Sequence, residues 1–440
     1  MIEIRGMPLS EENRRYLKIA MPAAMEGVFM ILLSNVDIIL VGALGTESIA
    51  AVSIFTQPRM MILTLARSLA AALSLLAAEH YGRGTREKAS ELLLQSLLVW
   101  GTVLFFVHLF FYWFLADILR WMGAEESYLP LALSYADIAL FSVFITSVTA
   151  LLQALMLGFG ETGAVLRTNL QGNVVNVAAS ALLIFGIGPF PALGVPGAAI
   201  GTVIGTVCTL GGTLVYLQHH RMLRGRFLPS RDYFKKFLPV FGGVFSEQGF
   251  ERVGMVLYTR MVAELGTIPY AVHAICMNFC DFYYCFAGGL GKASMVLAGQ
   301  SRGKGDPEAW ERYLRVGIRW GLFFSLLSFL LTFLLREEIF SIYSSDAEAM
   351  AMGSIIMVFV AAVSFPEAHA MICAGVLRGS GKTTQVAAYS FVSVAVLRPI
   401  VTAFFLYKMG WGLVGAWTAL ALDQSIRAGC SHFLLRRIRP

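Results

Sequence analysis

The stretch "RGSGKTTQV", Arg378–Val386, decides the fold because it reads in two incompatible ways. Glycines around a Lys-Thr pair suit a phosphate cradle: bare backbone N–H groups, a lysine for phosphate oxygens, a hydroxyl for magnesium. The spacing refuses that reading. A Walker loop ending at Lys382 needs its first glycine at position 376, which is valine. The stretch also has a second copy, "LGFGETGAV" (Leu157–Val165), with Glu161 in the place of Lys382. A glutamate repels phosphate, so what the two copies share is a glycine turn.

Other segments recur at the same spacing. "ALGT" (Ala43–Thr46) returns as "ELGT" (Glu264–Thr267), and "AAEHYGRGTREKA" (77–89) as "AGQSRGKGDPEAW" (298–310). Gly45 and Gly266, Gly82 and Gly303, and Gly158 and Gly379 are each separated by 221 positions. Three matches at one offset across more than 100 residues define an internal duplication.

The duplicated material is apolar. Of 440 residues, 57% are hydrophobic and only 14% charged, against roughly 45–50% and about 25% in soluble domains; mean hydropathy is +0.69. Runs such as "LLLQSLLVWGTVLFFVHLFFYWFLA" (Leu92–Ala116) match the roughly 20 residues that a helix needs to cross a bilayer core of about 30 Å. Such runs predict about twelve helices, near 17–44, 49–78, 90–116, 129–157, 163–186, 194–217, 237–263, 268–298, 312–335, 349–377, 384–408 and 412–435. The longer ones must tilt, bend or protrude. Six spans per half is an even number, so both halves enter the membrane in the same direction. That is the parallel repeat of secondary transporters. The expectation is an all-α membrane protein of two six-helix bundles, residues 1–220 and 237–440, joined by a basic linker at 221–236.

The net charge of +6 is no nucleic-acid footprint, because the basic residues lie in short loops. The N-terminus, "HYGRGTREK", "HHRMLRGRF" with "RDYFKK", "QSRGKGDPEAWERYLR", "RGSGK" and "RRIRP" hold most of the Lys and Arg. The alternating loops "GTES", "GPFPALG" and "LGTIP" hold almost none, and "REEIFSIYSSDAE" is acidic. By the positive-inside rule both termini are cytoplasmic. The first eighteen residues mix charge signs and show no cleavable signal. The six cysteines show no CxxC pairing, so neither a disulfide framework nor a zinc site is expected.

Ionisable side chains at membrane depth are costly and by default mark a pathway or a coupled pair. Asp37, in "LLSNVDIILVGALG", lies about 10 Å below the outer interface by helical rise. Apolar neighbours suit it to trading protons; the alternative is an aspartate held permanently by a nearby Asn or Thr. Glu247 and Glu251, in "FSEQGFERVGMV", share one helix face at i, i+4, placed to share a proton or cation, or else to form structural Glu–Arg pairs. Glu367, in "SFPEAHAMICAGVLRG", is near mid-membrane, and Pro366 before it opens the helix backbone. The alternative is a glutamate capping the kink. His369 faces away and reads as a lone packed histidine. Asp281 sits among aromatics in "NFCDFYYCF", where Phe282, Tyr283 and Tyr284 offer π-faces to an organic cation, or simply pack. Arg59, Arg67, Lys292 and Arg398 are candidate counter-ions, and Arg260 and Arg427 sit near predicted ends, where they can snorkel.

Taken together, these residues resemble the multidrug and toxic compound extrusion (MATE) family of cation-coupled antiporters. The likeness spans nearly the whole chain. It is carried by "VDIILVGALGTESIAAV", "LGFGETG" with "RTNLQGNVVNV", "LGVPGAAIGTVI", "LAGQSRGKGDPE", "GVLRGSGKTT" and "GWGLVGAWTAL". The resemblance implies two six-helix bundles around a central cavity open alternately to either side. It implies ion coupling at Asp37, with Asn176 of the fifth helix and Thr202 of the sixth beside it. Proton-coupled relatives often carry a second Asp four residues after that Asn, where this chain has Ser180. Glu251 and Glu367 fall at the acid positions of the Na⁺-coupled branch, and Glu247 at a glutamate of other branches. The coupling ion, H⁺ or Na⁺, stays open.

The expected function is secondary active export of organic cations or amphiphilic drugs across the plasma (inner) membrane. The protein is read as a monomer in the lipid bilayer, without nucleic acid, cofactor or bound metal. A lipid-linked oligosaccharide flippase or an exporter of an endogenous metabolite is the alternative; a flippase should carry a strongly cationic cavity. No filter motif supports a channel, and no HExxH or GxSxG supports an enzyme.

Overall fold

The structure, a computed structural model, describes residues 10–341 and 346–438. Among these, twelve long helices account for nearly every residue: α1 (Glu11–Gly42), α2 (Thr46–Gly82), α3 (Arg86–Trp113), α4 (Leu129–Phe159), α5 (Thr162–Phe185), α6 (Val195–His219), α7 (Arg231–Ala263), α8 (Thr267–Lys304), α9 (Pro307–Leu334), α10 (Ala347–Gly379), α11 (Thr383–Lys408) and α12 (Gly412–Arg437). Short helices at Leu115–Trp121 and Arg336–Ser341 follow α3 and α9, beginning 221 positions apart. The acidic segment after α9 lies partly outside the described residues.

Eight of the twelve (α1–α4, α6 and α9–α11) are long and apolar enough to cross a membrane by length and composition. The other four are more polar along their length. Asn169, Gln171, Asn173 and Asn176 dilute α5; α7 carries Glu247, Glu251 and Arg252, α8 carries Asp281 and Lys292, and α12 carries Asp423 and Arg427. Large apolar side chains such as Phe106, Trp113, Leu322 and Ile400 stand exposed, as on a surface that faces lipid rather than water.

The opening motif has one structural explanation in both copies. Gly160 and Gly381 take φ of 85° and 77°, left-handed conformations that end α4 and α10 and cost other residues strain. A Cβ on Gly158 would lie 2.7 Å from the Ala77 Cβ and the Ser74 carbonyl. One on Gly379 would lie 2.4 Å from the Met295 carbonyl and 2.9 Å from the Ala298 Cβ. Met295 and Ala298 stand 221 positions after Ser74 and Ala77. The first glycine therefore lets α4 touch α2, and its repeat lets α10 touch α8. The second glycine makes the turn.

The helices form two compact units, Val28–Phe241 and Met1–Gly27 with Gly242–Pro440. These edges differ from the halves expected from the repeat, since they fall inside α1 and α7. In the Val28–Phe241 unit, Leu69, Leu73, Leu93 and Leu155 form one core, and Phe55, Leu140 and Ala199 belong to a second. Gln153 of α4 binds three neighbours, donating to Asn169 (2.7 Å), Thr213 (3.2 Å) and Thr168 (3.3 Å). The other unit packs around Tyr258, Phe340, Ile356 and Trp417. The early turns of α1 belong to it because their polar groups bond there. The Tyr16 hydroxyl donates to the Leu290 carbonyl at 2.8 Å, Arg15 to Gln300 at 2.7 Å, and the Trp320 indole to Asn13 at 3.0 Å.

Candidate functional site

In the Val28–Phe241 unit, α6 carries Gly197, Gly201 and Gly205 at four-residue spacing, the small-residue stripe that lets membrane helices approach closely. A Cβ on Gly205 would lie 2.5 Å from the Asn176 Cβ, and one on Gly201 would lie 2.5 Å from the Ser180 backbone nitrogen. The contact presents Asn176 of α5 to α1. Its Nδ2 donates to Asp37 Oδ2 at 3.2 Å and reaches Oδ1 at 3.5 Å. Ser180 donates to Asn176 Oδ1 at 3.2 Å, which fixes the amide so that its NH₂ faces the carboxylate. Ser180 thus occupies the place of a second acid as an orienting hydroxyl. Thr202, expected beside Asp37, donates to the Ala198 carbonyl at 2.9 Å, one turn back on its own helix, and among the described residues no hydrogen bond joins it to Asp37. Arg59 of α2 makes no ion pair with Asp37 among the described residues, and its buried Nε lacks a hydrogen-bond partner there.

In the other unit three acids each meet an arginine. Glu247, 3% exposed, is gripped by Arg378, with Nε on Oε2 at 3.1 Å and an η-nitrogen on Oε1 at 2.9 Å. Glu251 pairs with Arg427 of α12. Asp423 of α12 pairs with Arg398, whose Nε lies 3.0 Å from Oδ2, and also accepts from Ser393. Around Arg398 the hydrogen-bond register of α11 widens into π-helix at Phe391–Leu397 and again at Phe404–Lys408, a distortion frequent at functional sites. Glu247 and Glu251 share a face, and each has its own arginine, the structural pairing that was the alternative to a shared proton or cation. Asp423 was not singled out from the sequence, nor was Arg378 as a partner. The available signal was Asp423 and Arg427 at i, i+4 inside an apolar run.

Glu367 is the exception. It is 7% exposed, directly after Pro366 within α10, and among the described residues no hydrogen bond or ion pair reaches its carboxylate. A buried carboxylate without a direct partner is costly unless a cation or proton occupies it in part of its working cycle.

The aromatic group of α8 divides. Asp281 and Tyr284 are both exposed on one face. Phe282 is half-buried, and Tyr283 turns inward to hydrogen-bond the Ser364 carbonyl and Ser325, each at 2.7 Å. Lys292 lies 3.9 Å from Glu26. His369 is not the isolated histidine its sequence context suggests. His432 of α12, 63 residues downstream, lies against it.

An all-helical chain with a parallel six-helix repeat and carboxylates inside its spanning helices has the architecture of a secondary membrane transporter. Comparison with known proteins gives the family. The MatE family model matches residues 22–182 and again residues 244–404, the two matches displaced by 222 positions, and the chain belongs to that family. It is 25% identical to a probable multidrug resistance protein NorM of Rhizobium meliloti (strain 1021), covering 97% of this chain and 94% of the relative. It is 24% identical to the multidrug resistance protein NorM of Vibrio cholerae, covering 95% and 94%. A crystal structure of MATE in the bent conformation superposes with a TM-score of 0.89 at 20% identity, covering 97% and 95%. A transporter of the MOP superfamily from Pyrococcus furiosus superposes at 0.88, with 20% identity and the same coverage.

Proposed function

We propose that this protein exports cationic or amphiphilic small molecules by alternating access of a central cavity, in exchange for H⁺ or Na⁺. The membrane is the plasma (inner) membrane, with both termini cytoplasmic, and the working unit is the monomer. Family membership and the multidrug resistance names of full-length relatives support the substrate class. The observation that carries coupling is the contrast among intramembrane acids. Among the described residues, Glu247, Glu251 and Asp423 have arginines, whereas Asp37 is hydrogen-bonded by the neutral Asn176 and Glu367 has no direct partner.

Asp37 and Glu367 are then the carboxylates that load and release the ion. Loading shifts the inward–outward equilibrium only by the ion's differential affinity for the two states. The Arg398–Asp423 and Arg378–Glu247 pairs hold the helices that carry the site. Exposed Asp281 and Tyr284 offer a charge and a π-face to an organic cation. Against the flippase alternative, Arg398 and Arg427 inside the spanning helices are each paired with an acid, which lowers the cationic character a flippase cavity would need.

The test is ethidium movement in proteoliposomes under a Na⁺ gradient at fixed pH and, separately, a pH gradient without Na⁺. Export driven by either one supports the reading and identifies the ion. Movement under neither, together with translocation of an oligosaccharide lipid, would assign the protein to flippases.

A further inference from the structure

We propose that His369, Cys373 and His432 form a transition-metal site, holding Zn²⁺ through two imidazole nitrogens and one thiolate. His369 and Cys373 are i, i+4 on α10, so both face α12, which contributes His432. One donor atom from each residue lies within 4.8 Å of the other two. His369 Nε2 and His432 Nδ1 are 3.2 Å apart. With Zn–N bonds of about 2.0–2.1 Å, the edge of a tetrahedral site between two nitrogens is about 3.3 Å, so the ring pair already has metal-ligand spacing. The corresponding N···S edge is about 3.6 Å, which the thiol, within 4.8 Å of both nitrogens, reaches by closing at most about 1.2 Å.

The surroundings suit an open fourth position. A cavity of about 380 Å³, lined by both histidines with Ala428, Gly429, Phe433 and Arg436, adjoins the ligands toward the end of α12. The Cys373 thiol is buried, with the Ser431 hydroxyl beside it. Two imidazoles and a thiolate select zinc or copper over the hard cations, which prefer oxygen. The site shares no residue with the Arg-paired acids or with the coupling carboxylates proposed above.

Without metal, the Arg436 Nε donates to His432 Nε2 at 3.1 Å, so His432 carries its proton on Nδ1 and donates it to His369 Nε2. Metal binding changes this in a defined way. The Cys373 thiol loses its proton to solvent, and His432 moves its proton from Nδ1 to Nε2. Arg436 must then release that nitrogen, which its exposed position at the end of α12 allows. Arg436 is therefore a competitor for the site rather than a ligand, and its removal should tighten binding.

The test uses full-length, tag-free protein in nanodiscs, titrated with Zn²⁺ alone and with Co²⁺ as a spectroscopic substitute. Expected are one equivalent of metal at micromolar affinity or tighter, a thiolate-to-Co²⁺ charge-transfer band, and the intense visible bands of a tetrahedral ion. Cys373→Ser should abolish the charge-transfer band. His369→Ala and His432→Ala should each weaken binding by more than about tenfold, the least that losing even an outer-shell partner costs. Arg436→Ala should strengthen it several-fold, and Cys430→Ser, at an exposed thiol on α12, should change nothing. A band that survives Cys373→Ser, an octahedral Co²⁺ spectrum, or millimolar binding indifferent to both histidines would overturn the assignment. Should Cys373→Ser fail to fold, the histidine variants and Arg436→Ala decide.

Discussion

Truncating Asp423 should destabilise the protein far more than truncating a neutral interhelical hydrogen bond. Asp423 and Arg398 are 1% and 4% exposed at their side chains. In Asp423→Ala the guanidinium keeps, among the described residues, only the Met255 sulfur, 3.0 Å from an η-nitrogen, and a charge is left buried. Breaking one side of a buried pair costs about 3–5 kcal/mol, and Arg398→Met should cost the same by stranding Asp423. The double replacement Arg398→Met with Asp423→Leu removes both charges and keeps volume, so it should return to within about 1 kcal/mol of the parent. Gln153→Ala, which deletes a neutral network, is the control; such bonds average about 0.6 kcal/mol in membrane helices. The assay is reversible unfolding in mixed micelles followed by tryptophan fluorescence. Single variants no worse than Gln153→Ala, or a double variant costing the sum of the singles, would refute the reading of this pair as a structural clamp.

The remaining expectations concern the site's geometry. Asp37→Asn keeps a side chain that Asn176 can bond, so the fold should survive unchanged in thermal unfolding while gradient-driven ethidium export is lost. Gly205→Ala forces a Cβ to 2.5 Å from that of Asn176 and should cost about 1–3 kcal/mol of overpacking, with export impaired because Asn176 moves from Asp37. Tyr283→Phe deletes a buried hydroxyl bound to α9 and α10 and should lower stability by about 1–2 kcal/mol, read by the same unfolding assay. Tyr284→Ala should leave stability alone and raise the concentration of ethidium needed for half-maximal export.

Much of the fold was legible because a spanning helix declares itself by local hydropathy. The last two expected spans, 384–408 and 412–435, meet α11 (Thr383–Lys408) and α12 (Gly412–Arg437) almost residue for residue. The beginning of α7 was not legible. Its first turns, from Arg231, mix four charged residues with Tyr233 and Phe234, and such mixed turns do not extend an apolar run. The π-helical segments of α11 were equally silent, since a change of hydrogen-bond register does not alter composition.

Of the site, the acids were legible and most of their partners were not. Asp37, Glu247, Glu251 and Glu367 stand out because charge at membrane depth is rare. Arg427, read as snorkelling near a helix end, instead reaches inward to Glu251, and Arg378 of the glycine turn reaches Glu247. His369 found His432, and Asp423 was overlooked altogether. Each pairing joins helices far apart in the chain, and single-sequence patterning contains no term for contacts across such separations. The Asp37–Asn176 bond was expected, but from resemblance to a family rather than from spacing.

The most direct measurement of the central claim is Glu367→Gln in proteoliposomes, with the Arg398→Met, Asp423→Leu double variant alongside. Both ethidium exchange without a gradient and uphill export under the effective ion gradient are followed. If the carboxylate without a partner carries the ion, Glu367→Gln keeps exchange and loses uphill export, while the double variant retains both. Undiminished uphill export by Glu367→Gln, with coupling lost in the double variant, would move the coupling role to the arginine-paired acids and contradict the account.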